Sequence, residues 1–399
     1  MTIQMRILHI GKFFPPHPGG IERFVADLAT AQTADGMAVR VLAHAEPGVS
    51  RSRSLRVGAV DVTLAACYGQ WIYAPVSPGF PRQLARILRD FQPDLLHLHL
   101  PNTSAFWALM LPRARRLPWI VHWHADIPLD TRQRALRLAY RLYRPWEQAL
   151  LRRARAVIAT SAPYRDSSVA LAPWRDKTRV IPLGIGQGKP DVANSTNIQW
   201  PAPGLRLLAV GRLSYFKGFD VLLRALANVP ETSLVLIGDG KCFGDLRELA
   251  DALGISARVN FAGRIDMDSP GDAALAQAYA RADVVCLPSL ERAESFGLVL
   301  LEAMRAGKPV VASAIPGSGA GFIVRDGETG LLVPPGDSVA LAAAIRRLHQ
   351  DEGLRARLGE AGARRFHDTF TLGRITPQVT ALYREVLSGP HRGTARPAG

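Results

Sequence analysis

Residues 283–313 read DVVCLPSLERAESFGLVLLEAMRAGKPVVAS, and their pattern decides the fold. Residues 283–287 and 309–312 are short runs rich in valine, which is typical of buried parallel strands. Between them, residues 296–306 place apolar side chains at helical spacing and end before a glycine. A strand, a helix and a second strand in this order form the repeating unit of a parallel α/β sheet.

The same alternation fills both halves of the chain. Further strands are predicted at residues 6–10, 38–43, 94–98, 119–123, 156–159, 179–181, 205–210, 233–237 and 258–261. Helices are predicted at residues 21–32, 80–90, 219–227, 243–253, 272–281, 338–351 and 354–369.

Residues 188–204 interrupt the alternation because they are polar, rich in glycine and proline, and without periodicity. We therefore predict an α/β protein with two Rossmann-like parallel-sheet domains facing each other across a cleft. The N-terminal domain spans residues 1–187, the linker 188–204 and the C-terminal domain 205–372. A last helix, residues 373–388, is expected to pack back on the N-terminal domain, and residues 389–399 are expected to be disordered.

The bulk composition excludes several classes of protein. Of 399 residues, 48% are hydrophobic and 21% charged, which is typical of a folded globular chain. The three cysteines, Cys67, Cys242 and Cys286, form no CxxC pair, which argues against a disulfide framework or a structural zinc site. No apolar run approaches the roughly 18 residues of a bilayer-spanning helix, and the N-terminus lacks a signal-peptide pattern. We expect a cytoplasmic protein.

The net charge of +15 is distributed unevenly. Residues 1–187 carry 25 Lys and Arg against 12 Asp and Glu, whereas residues 188–399 carry 24 against 22. A surplus of positive charge of this kind can bind nucleic acid, anionic lipid or a phosphorylated substrate. The asymmetry predicts that only the first half meets an anionic partner.

Most of the surplus falls in residues 113–155, where four arginines follow helical spacing: Arg134, Arg137, Arg141 and Arg144. Apolar residues such as Leu142 and Trp146 lie beside them, and Pro145 is expected to start a new helix. A basic amphipathic helix is typical of contact with anionic lipid, so we expect peripheral binding at the inner face of the plasma membrane. The alternative is a solvated helix face.

The first strand after the linker runs into GRLSYFKG, residues 211–218. It places Arg212 and Lys217 at the carboxyl edge of a strand and near a helix N-terminus. Cations and aligned N–H groups together suit a diphosphate. A turn with two solvated charges is the alternative.

Glu294 and Glu302 are separated by seven residues. At 1.5 Å per helical residue they lie about 12 Å apart, roughly the span from the hexose of a nucleotide sugar to its ribose. Carboxylates can accept several hydrogen bonds from sugar hydroxyls, and Gly297 lets the backbone approach a ligand. An ordinary helix with an acidic N-terminus is the alternative.

In the first half, Gly19 and Gly20 open a helix and can bind an anion with free N–H groups, although a plain Pro/Gly-rich loop remains possible. Four histidines alternate in two predicted strands: His97, His99, His122 and His124. They share a face, but no carboxylate stands at ligand spacing, so we expect no metal. Asp126 is expected to cap the next segment, with a role at the acceptor as the alternative.

Five motifs in chain order, GGIERF, HADI, GRL…KG, IGDG and ESFGLVLLEAM, resemble the retaining glycosyltransferase family 4, in particular bacterial mannosyltransferases of surface polysaccharides. The resemblance covers about residues 6–387. It implies the GT-B architecture and transfer of a hexose from a nucleotide-diphosphate sugar to a lipid-linked or polysaccharide acceptor, as in lipopolysaccharide synthesis. GDP-mannose is the expected donor.

The resemblance also implies residue roles. Arg212 and Lys217 bind the diphosphate, Glu302 the ribose, and Glu294 the hydroxyls of the transferred sugar. The transferred sugar is also contacted by His124 and by the backbone N–H groups of Phe296, Gly297 and Leu298. The nucleobase is bordered by Asp239, Gly240 and Arg264. The phosphate and the acceptor are contacted by Gly19 and Gly20.

Two features depart from simple expectations. Many family members carry a Pro-Glu-Val-like step where residues 316–333 read PGSGAGFIVRDGETGLLV. This Gly-Ser-Gly variant resembles the mannosyltransferase-type members that make surface polysaccharides, but the donor sugar stays open. Asp266 and Asp268 mimic the metal-binding Asp-x-Asp motif of another glycosyltransferase fold. Because cations can supply the charge here, we predict a solvated loop and no metal or other cofactor.

Other functions stay open at this point. A sugar-nucleotide epimerase or a sugar phosphorylase of similar two-domain shape would share these motifs, and a non-catalytic subunit would share the fold. The positive charge alone would also fit a nucleic-acid-binding protein. The chain lacks aromatic stacking motifs for that role, so no nucleic-acid partner is expected.

Overall fold

The computed structural model describes residues 4–127, 134–187, 198–265 and 269–389, with the side chains of residues 134–135 and 269–272 left aside. The chain forms two compact units. The first contains residues up to 160, residues 165–182 and the segment from residue 372 onward. The second contains residues 161–164 and 183–371. Most of the expected linker, residues 188–197, lies outside the described residues, and residues 198–204 belong to the second unit.

The first unit alternates strands and helices along the chain. Its elements are β1 (Arg6–Ile10), α1 (Gly20–Ala34), β2 (Ala38–His44), β3 (Arg53–Val57), β4 (Val60–Ala65), β5 (Gln70–Trp71), β6 (Ala74–Pro75), α2 (Phe80–Asp90), β7 (Leu95–Leu100), α3 (Trp107–Met110), α4 (Pro112–Arg116), β8 (Trp119–Trp123), α5 (Arg134–Arg153), β9 (Ala156–Ala159), α6 (Ala162–Ser167, which the unit boundary divides) and β10 (Thr178–Val180).

Eight strands form the sheet of the first unit, in the order β10-β9-β8-β7-β1-β2-β4-β3. Neighbours are parallel except β3, which pairs antiparallel with β4. The central strands β1, β7 and β8 are buried along nearly their whole length, as expected for a parallel sheet covered on both faces.

The second unit repeats the pattern. Its elements are β11 (Leu205–Val210), α7 (Phe219–Ala227), β12 (Thr232–Ile237), α8 (Phe243–Ala252), β13 (Val259–Gly263), α9 (Ser269–Arg281), β14 (Val284–Leu287), α10 (Leu298–Arg305), β15 (Val310–Ser313), α11 (Ala320–Ile323), β16 (Leu331–Val333), α12 (Ser338–Gln350) and α13 (Glu352–Arg365). Six parallel strands form its sheet, in the order β13-β12-β11-β14-β15-β16.

The last helix, α14 (Leu372–Ser388), belongs to the first unit, where it packs against α1. Gln32 of α1 donates a hydrogen bond to the hydroxyl of Tyr383. Arg155 donates to the carbonyl of Val386. Buried side chains of α14 therefore complete the core of the first unit.

The structure corrects several predicted elements. Strands β3 to β6 and β16 were missed. Strand β3 is exposed and carries arginines, and β5, β6 and β16 are only two or three residues long. Strand β4 alternates apolar and polar residues over six positions, a pattern typical of a half-buried strand that the prediction overlooked. The helix predicted to start at residue 296 begins at Leu298, because Gly297 has a positive φ of 93°. Pro145 does not start a new helix: α5 continues through it, and buried residues on either side, Leu136 and Leu150, anchor both halves.

Candidate functional site

The predicted residues of the second half gather at one edge of the second sheet. Because all six strands are parallel, their carboxyl ends lie at the same edge, where open α/β sheets bind ligands. The loop after β11 carries Arg212 and Lys217, the loop after β12 carries Asp239 and Gly240, and Arg264 follows β13. Glu294 lies in the loop between β14 and α10.

Direct contacts join these loops. The backbone N–H of Leu213 donates to the carbonyl of Asp239 over 2.9 Å, and that of Leu290 donates to Phe216 over 2.7 Å. Gly218 has a φ of 64°, and a Cβ atom there would lie 2.1 Å from the carbonyl oxygen of Pro288. Only glycine therefore allows the loops after β11 and β14 to approach this closely.

Lys217 and Glu294 form a largely buried ion pair. The Nζ atom of Lys217 lies 2.5 Å from Oε2 of Glu294, and their side chains are only 13% and 9% exposed. Ser289 donates to the same carboxylate oxygen over 2.9 Å, and the hydroxyl of Ser318 donates to the carbonyl of Glu294. The sequence predicted both members of the pair as ligand-binding groups; the structure shows that they contact each other.

The surroundings of this pair offer hydrogen-bond donors. Arg212 is exposed, and its guanidinium makes no hydrogen bond or ion pair with the described residues. Over the same ranges, the backbone N–H groups of Phe296, Gly297 and Leu298 have no acceptor. The guanidinium of Arg212 and a helix N-terminus with free N–H groups make this region suited to an anion.

Glu302 is buried on α10, where Tyr279 of α9 donates a hydrogen bond to its Oε2 over 2.7 Å. This bond fixes the orientation of the carboxylate. At the far side of the edge, Asp239 is exposed and accepts a hydrogen bond from the N–H of Gly240, and Arg264 is exposed. Tyr279, Ser289 and Ser318 could not be predicted, because a single polar residue in a helix or loop has no distinctive spacing.

In the first unit, the loop after β1 leads to α1, which begins at Gly20 with Gly19 as its N-cap. Both glycines are exposed. The carboxylate of Glu22, in the first turn, occupies the space beside Gly19, since a Cβ atom on Gly19 would overlap it. An anion bound at this N-terminus would therefore have to displace the Glu22 side chain.

Five histidines stack across β1, β7 and β8. The predicted set of His97, His99, His122 and His124 is joined by His9, which pairs with His97 in the sheet register. The rings of His122 and His124 are parallel, with centroids 4.2 Å apart. Burial lowers the pKa of all five; His9 falls to about 4 and His124 to about 3. His9 was missed because a lone histidine in an apolar strand gives no signal until the strand order is known.

Two triples of these histidines have ring nitrogens within 4.8 Å of one another: His9, His97 and His99, and His99, His122 and His124. Neutral imidazoles are good ligands for transition metals. In each triple, however, two rings are joined by a hydrogen bond of 2.9 Å, so those nitrogens are already satisfied by each other. The absence of a metal requirement stays a prediction.

Two further predictions concern aspartates. Asp126 accepts hydrogen bonds from the indole of Trp123 over 2.8 Å and from Ser168 over 2.7 Å, so its carboxylate joins β8 to the region after α6. The segment that it was expected to cap begins outside the described residues. Asp266 and Asp268, predicted to form a solvated loop, also lie outside them.

Comparison with known proteins places this geometry in a family. Residues 19–184 match the glycosyl transferase 4-like domain, and residues 195–365 match the glycosyl transferases group 1. The chain is 32% identical to the phosphatidyl-myo-inositol mannosyltransferase of Mycobacterium leprae, over 96% of this chain and 98% of the relative. The chain belongs to the group 1 glycosyltransferases.

Further similarities agree with this assignment. The transferase is 29% identical to the O-antigen chain mannosyltransferase C of Escherichia coli, over 96% of the transferase and 99% of that protein. The solved sucrose-phosphate synthase of Thermosynechococcus elongatus superimposes with a TM-score of 0.78 at 25% identity, covering 96% and 100% of the two chains. The predicted family, GT-B fold and hexosyltransferase activity are confirmed.

Proposed function

We propose that the transferase moves mannose from GDP-mannose to a lipid-linked or polysaccharide acceptor during synthesis of a cell-surface glycan. Both curated relatives above are mannosyltransferases; one is named for a phosphoinositide lipid and the other for the O-antigen chain. The observation that carries the proposal is the Lys217–Glu294 pair, at the sheet edge that also carries Arg212 and the N-terminus of α10.

The reaction breaks the bond between the anomeric carbon and a diphosphate oxygen, so negative charge develops on the leaving diphosphate. Arg212 and Lys217 stabilise that charge, and groups held in place before the reaction do so most effectively. Glu294 accepts hydrogen bonds from the sugar hydroxyls while the N–H groups of Phe296, Gly297 and Leu298 donate to sugar oxygens. Because cations supply the positive charge, the proposal needs no metal.

The configuration at the anomeric carbon is retained in this proposal. The acceptor hydroxyl attacks from the face that the diphosphate leaves, and an oxygen of the leaving phosphate takes the hydroxyl proton. No carboxylate nucleophile is required.

The remaining candidate residues bind parts of the donor. Glu302, oriented by Tyr279, binds the ribose hydroxyls. The other assignments are Asp239, Gly240 and Arg264 at the nucleobase, Gly19 and Gly20 at the phosphate and acceptor, and His124 at the sugar.

A thermal-shift panel of GDP-mannose, UDP-glucose, UDP-galactose and UDP-N-acetylglucosamine tests the donor. Binding stabilises the folded state by mass action, so GDP-mannose should raise Tm most. The shift should disappear in Arg212→Ala and Lys217→Ala and persist in Arg224→Ala, which removes an exposed arginine of α7. A larger shift with a UDP-sugar would replace the proposed donor, and no shift with any of the four would contradict nucleotide-sugar binding.

Helix α5 supports a membrane-bound acceptor, with the transferase docked at the inner face of the plasma membrane. Arg137, Arg141 and Arg144 are exposed, whereas the side chain of Arg134 lies outside the described residues. Between them, Leu138 and Leu142 are 62% and 71% exposed. A basic helix with exposed leucines is suited to lie in the headgroup region of an anionic bilayer. None of the described helices is both long and apolar enough to cross a bilayer.

Vesicle flotation tests the docking. Replacing Arg137, Arg141 and Arg144 by Gln should weaken binding to phosphatidylglycerol-containing vesicles by at least tenfold, since each cation near such a surface contributes about 1 kcal/mol. The matched control replaces three exposed arginines of the second unit by Gln: Arg224, Arg347 and Arg357. Equal binding of the two triple variants would refute docking through α5.

A further inference from the structure

A chain of hydrogen bonds runs through the buried histidines of the first unit. Nε2 of His124 lies 2.9 Å from Nδ1 of His99, and Nε2 of His99 lies 2.9 Å from Nδ1 of His9. Nε2 of His9 lies 2.8 Å from the amide oxygen of Gln32. All four side chains are buried. The chain thus links the end of β8, where His124 lies, to the last turn of α1.

The end at Gln32 sets the direction of every bond. Its amide nitrogen donates to the hydroxyl of Tyr383 over 3.0 Å, so its carbonyl oxygen faces His9 and can only accept. The Tyr383 hydroxyl has its own proton free to donate to Nδ1 of His97, 2.5 Å away. His9 must therefore carry its proton on Nε2.

The consequence passes from ring to ring because a neutral imidazole has one N–H and one lone pair. Nδ1 of His9 is then an acceptor and takes the proton of Nε2 in His99. Nδ1 of His99 is an acceptor in turn and takes the proton of Nε2 in His124. The rings stay neutral at physiological pH, since burial lowers the pKa of His9 to about 4 and of His124 to about 3.

The last ring is left with an unused lone pair. Nδ1 of His124 is buried and has no partner among the residues that the structure describes. An unsatisfied buried acceptor costs about 1 to 3 kcal/mol, so such a group calls for a donor from outside the described residues. Sugar hydroxyls are donors of this kind.

We propose that Gln32, His9 and His99 are positioning residues that fix the tautomer of His124, so that its Nδ1 accepts a hydrogen bond from a hydroxyl of the transferred sugar. The inference rests on the proposed function for the identity of the sugar. It assigns His124 the role of a neutral acceptor and excludes it as a proton donor to the leaving diphosphate. If the Gln32 amide were turned over, every proton in the chain would move and His124 would present an N–H instead.

Nitrogen NMR of the full-length protein labelled with ¹⁵N-histidine tests the tautomer directly, with His124→Gln used to assign the His124 signals. In the unliganded protein, Nδ1 of His124 should show the shift of an unprotonated ring nitrogen and Nε2 that of an N–H. GDP-mannose should then move the Nδ1 signal towards that of a hydrogen-bonded lone pair. A proton on Nδ1 would overturn the inference, and so would an unmoved Nδ1 signal when the donor demonstrably binds.

Variants of Gln32 test whether the chain causes the tautomer. Gln32→Glu keeps an acceptor facing His9, so the His124 signals should stay as in the wild type. Gln32→Leu removes it, so both tautomers should be populated and KM for the donor should rise by about two- to tenfold, because only one tautomer is competent. Unchanged His124 signals in Gln32→Leu would refute the coupling. Failure of the proposed function would look different: no donor in the thermal-shift panel would bind, whatever the tautomer.

Discussion

At the scale of single residues, the buried histidines make the first unit sensitive to acid. Burial, and secondarily the neighbouring His124, lowers the pKa of His122 well below its usual range. A histidine that is neutral when folded takes up a proton on unfolding below about pH 6.5. The free energy of unfolding is therefore highest, as far as these histidines determine it, above that pH. It decreases as the pH falls towards the pKa values of the folded protein, of which that of His9 is about 4.

His122→Leu isolates one of these protons. Neither ring nitrogen of His122 has a partner among the described residues, so the substitution breaks no described hydrogen bond. The pH dependence of unfolding between pH 6 and 5 should become shallower by about 1.4 kcal/mol per pH unit. Urea unfolding followed by tryptophan fluorescence measures it, since six of the seven tryptophans lie in the first unit.

The outcome that would contradict this prediction is an unchanged slope in His122→Leu. His349→Leu serves as a control, because His349 lies in the second unit, outside the histidine stack. Its slope should stay within error of the wild type when fluorescence reports the first unit.

The sequence could predict residue types at the site but not their partners. Glu294, Lys217 and Arg212 stood out because charged residues in a strand–loop–helix pattern fall at a sheet edge. The contact between Lys217 and Glu294 could not be predicted, because they lie 77 positions apart in the chain and the strand order decides that their loops are neighbours. The contacts of His9, Gln32 and Tyr383 could not be predicted for the same reason, because their partners are distant in the sequence.

At the scale of elements, the site depends on how closely two loops approach. Gly218 ends a short 3₁₀ turn of residues 215–217 and precedes α7, and its position places Lys217 beside Glu294. Any side chain at position 218 would have to push away the backbone after β14, because the nearest atom is the carbonyl oxygen of Pro288.

Gly218→Ala should destabilise the second unit and weaken donor binding together. The positive φ costs an alanine about 1 kcal/mol, and the clash adds about 1 to 3 kcal/mol. Gly254→Ala is the matched control, because Gly254 has a φ of 67° with open space around it. Gly254→Ala should therefore lose only the roughly 1 kcal/mol that the positive φ costs, and its affinity for the donor should be unchanged. Thermal unfolding measures the stability of each variant, and titration with GDP-mannose measures its donor affinity. Equal effects of Gly218→Ala and Gly254→Ala would contradict the idea that position 218 must lack a side chain for the two loops to approach.

Elements with a strong apolar period were predictable, and weak ones were not. Strands β1 and β8 and helix α2 have the predicted bounds, because their apolar residues recur with an unambiguous period. Strand β3 was missed since an exposed edge strand with Arg53 and Arg56 has no need of apolar residues. The prediction that Pro145 starts a new helix was wrong because a proline removes one hydrogen bond from the helix, and this costs less free energy than burial of the side chains on both sides contributes.

At the scale of the whole molecule, the division of charge follows the division into units. The electropositive surplus lies in residues 1–187, whereas the ion-paired site at the edge of the second sheet belongs to the nearly neutral half. A transferase that meets a membrane acceptor with one unit and a nucleotide sugar with the other would need this asymmetry. Sequence alone predicted the two α/β domains, since each contains a complete set of alternating strands and helices.

The rate of GDP release from GDP-mannose in the presence of a bacterial total-lipid extract tests whether Arg212 and Lys217 hold the donor diphosphate. Arg212→Ala and Lys217→Ala should each lower kcat by about a hundredfold or more, because each removes a cation at the leaving diphosphate. Arg212→Ala should keep the thermal stability of the unliganded wild type to within a few degrees, and Arg224→Ala should keep full activity. Lys217→Ala should also lower Tm, because it leaves the largely buried carboxylate of Glu294 without its cation. Folded variants of both residues that release GDP within about twofold of the wild-type rate would contradict a diphosphate held by Arg212 and Lys217.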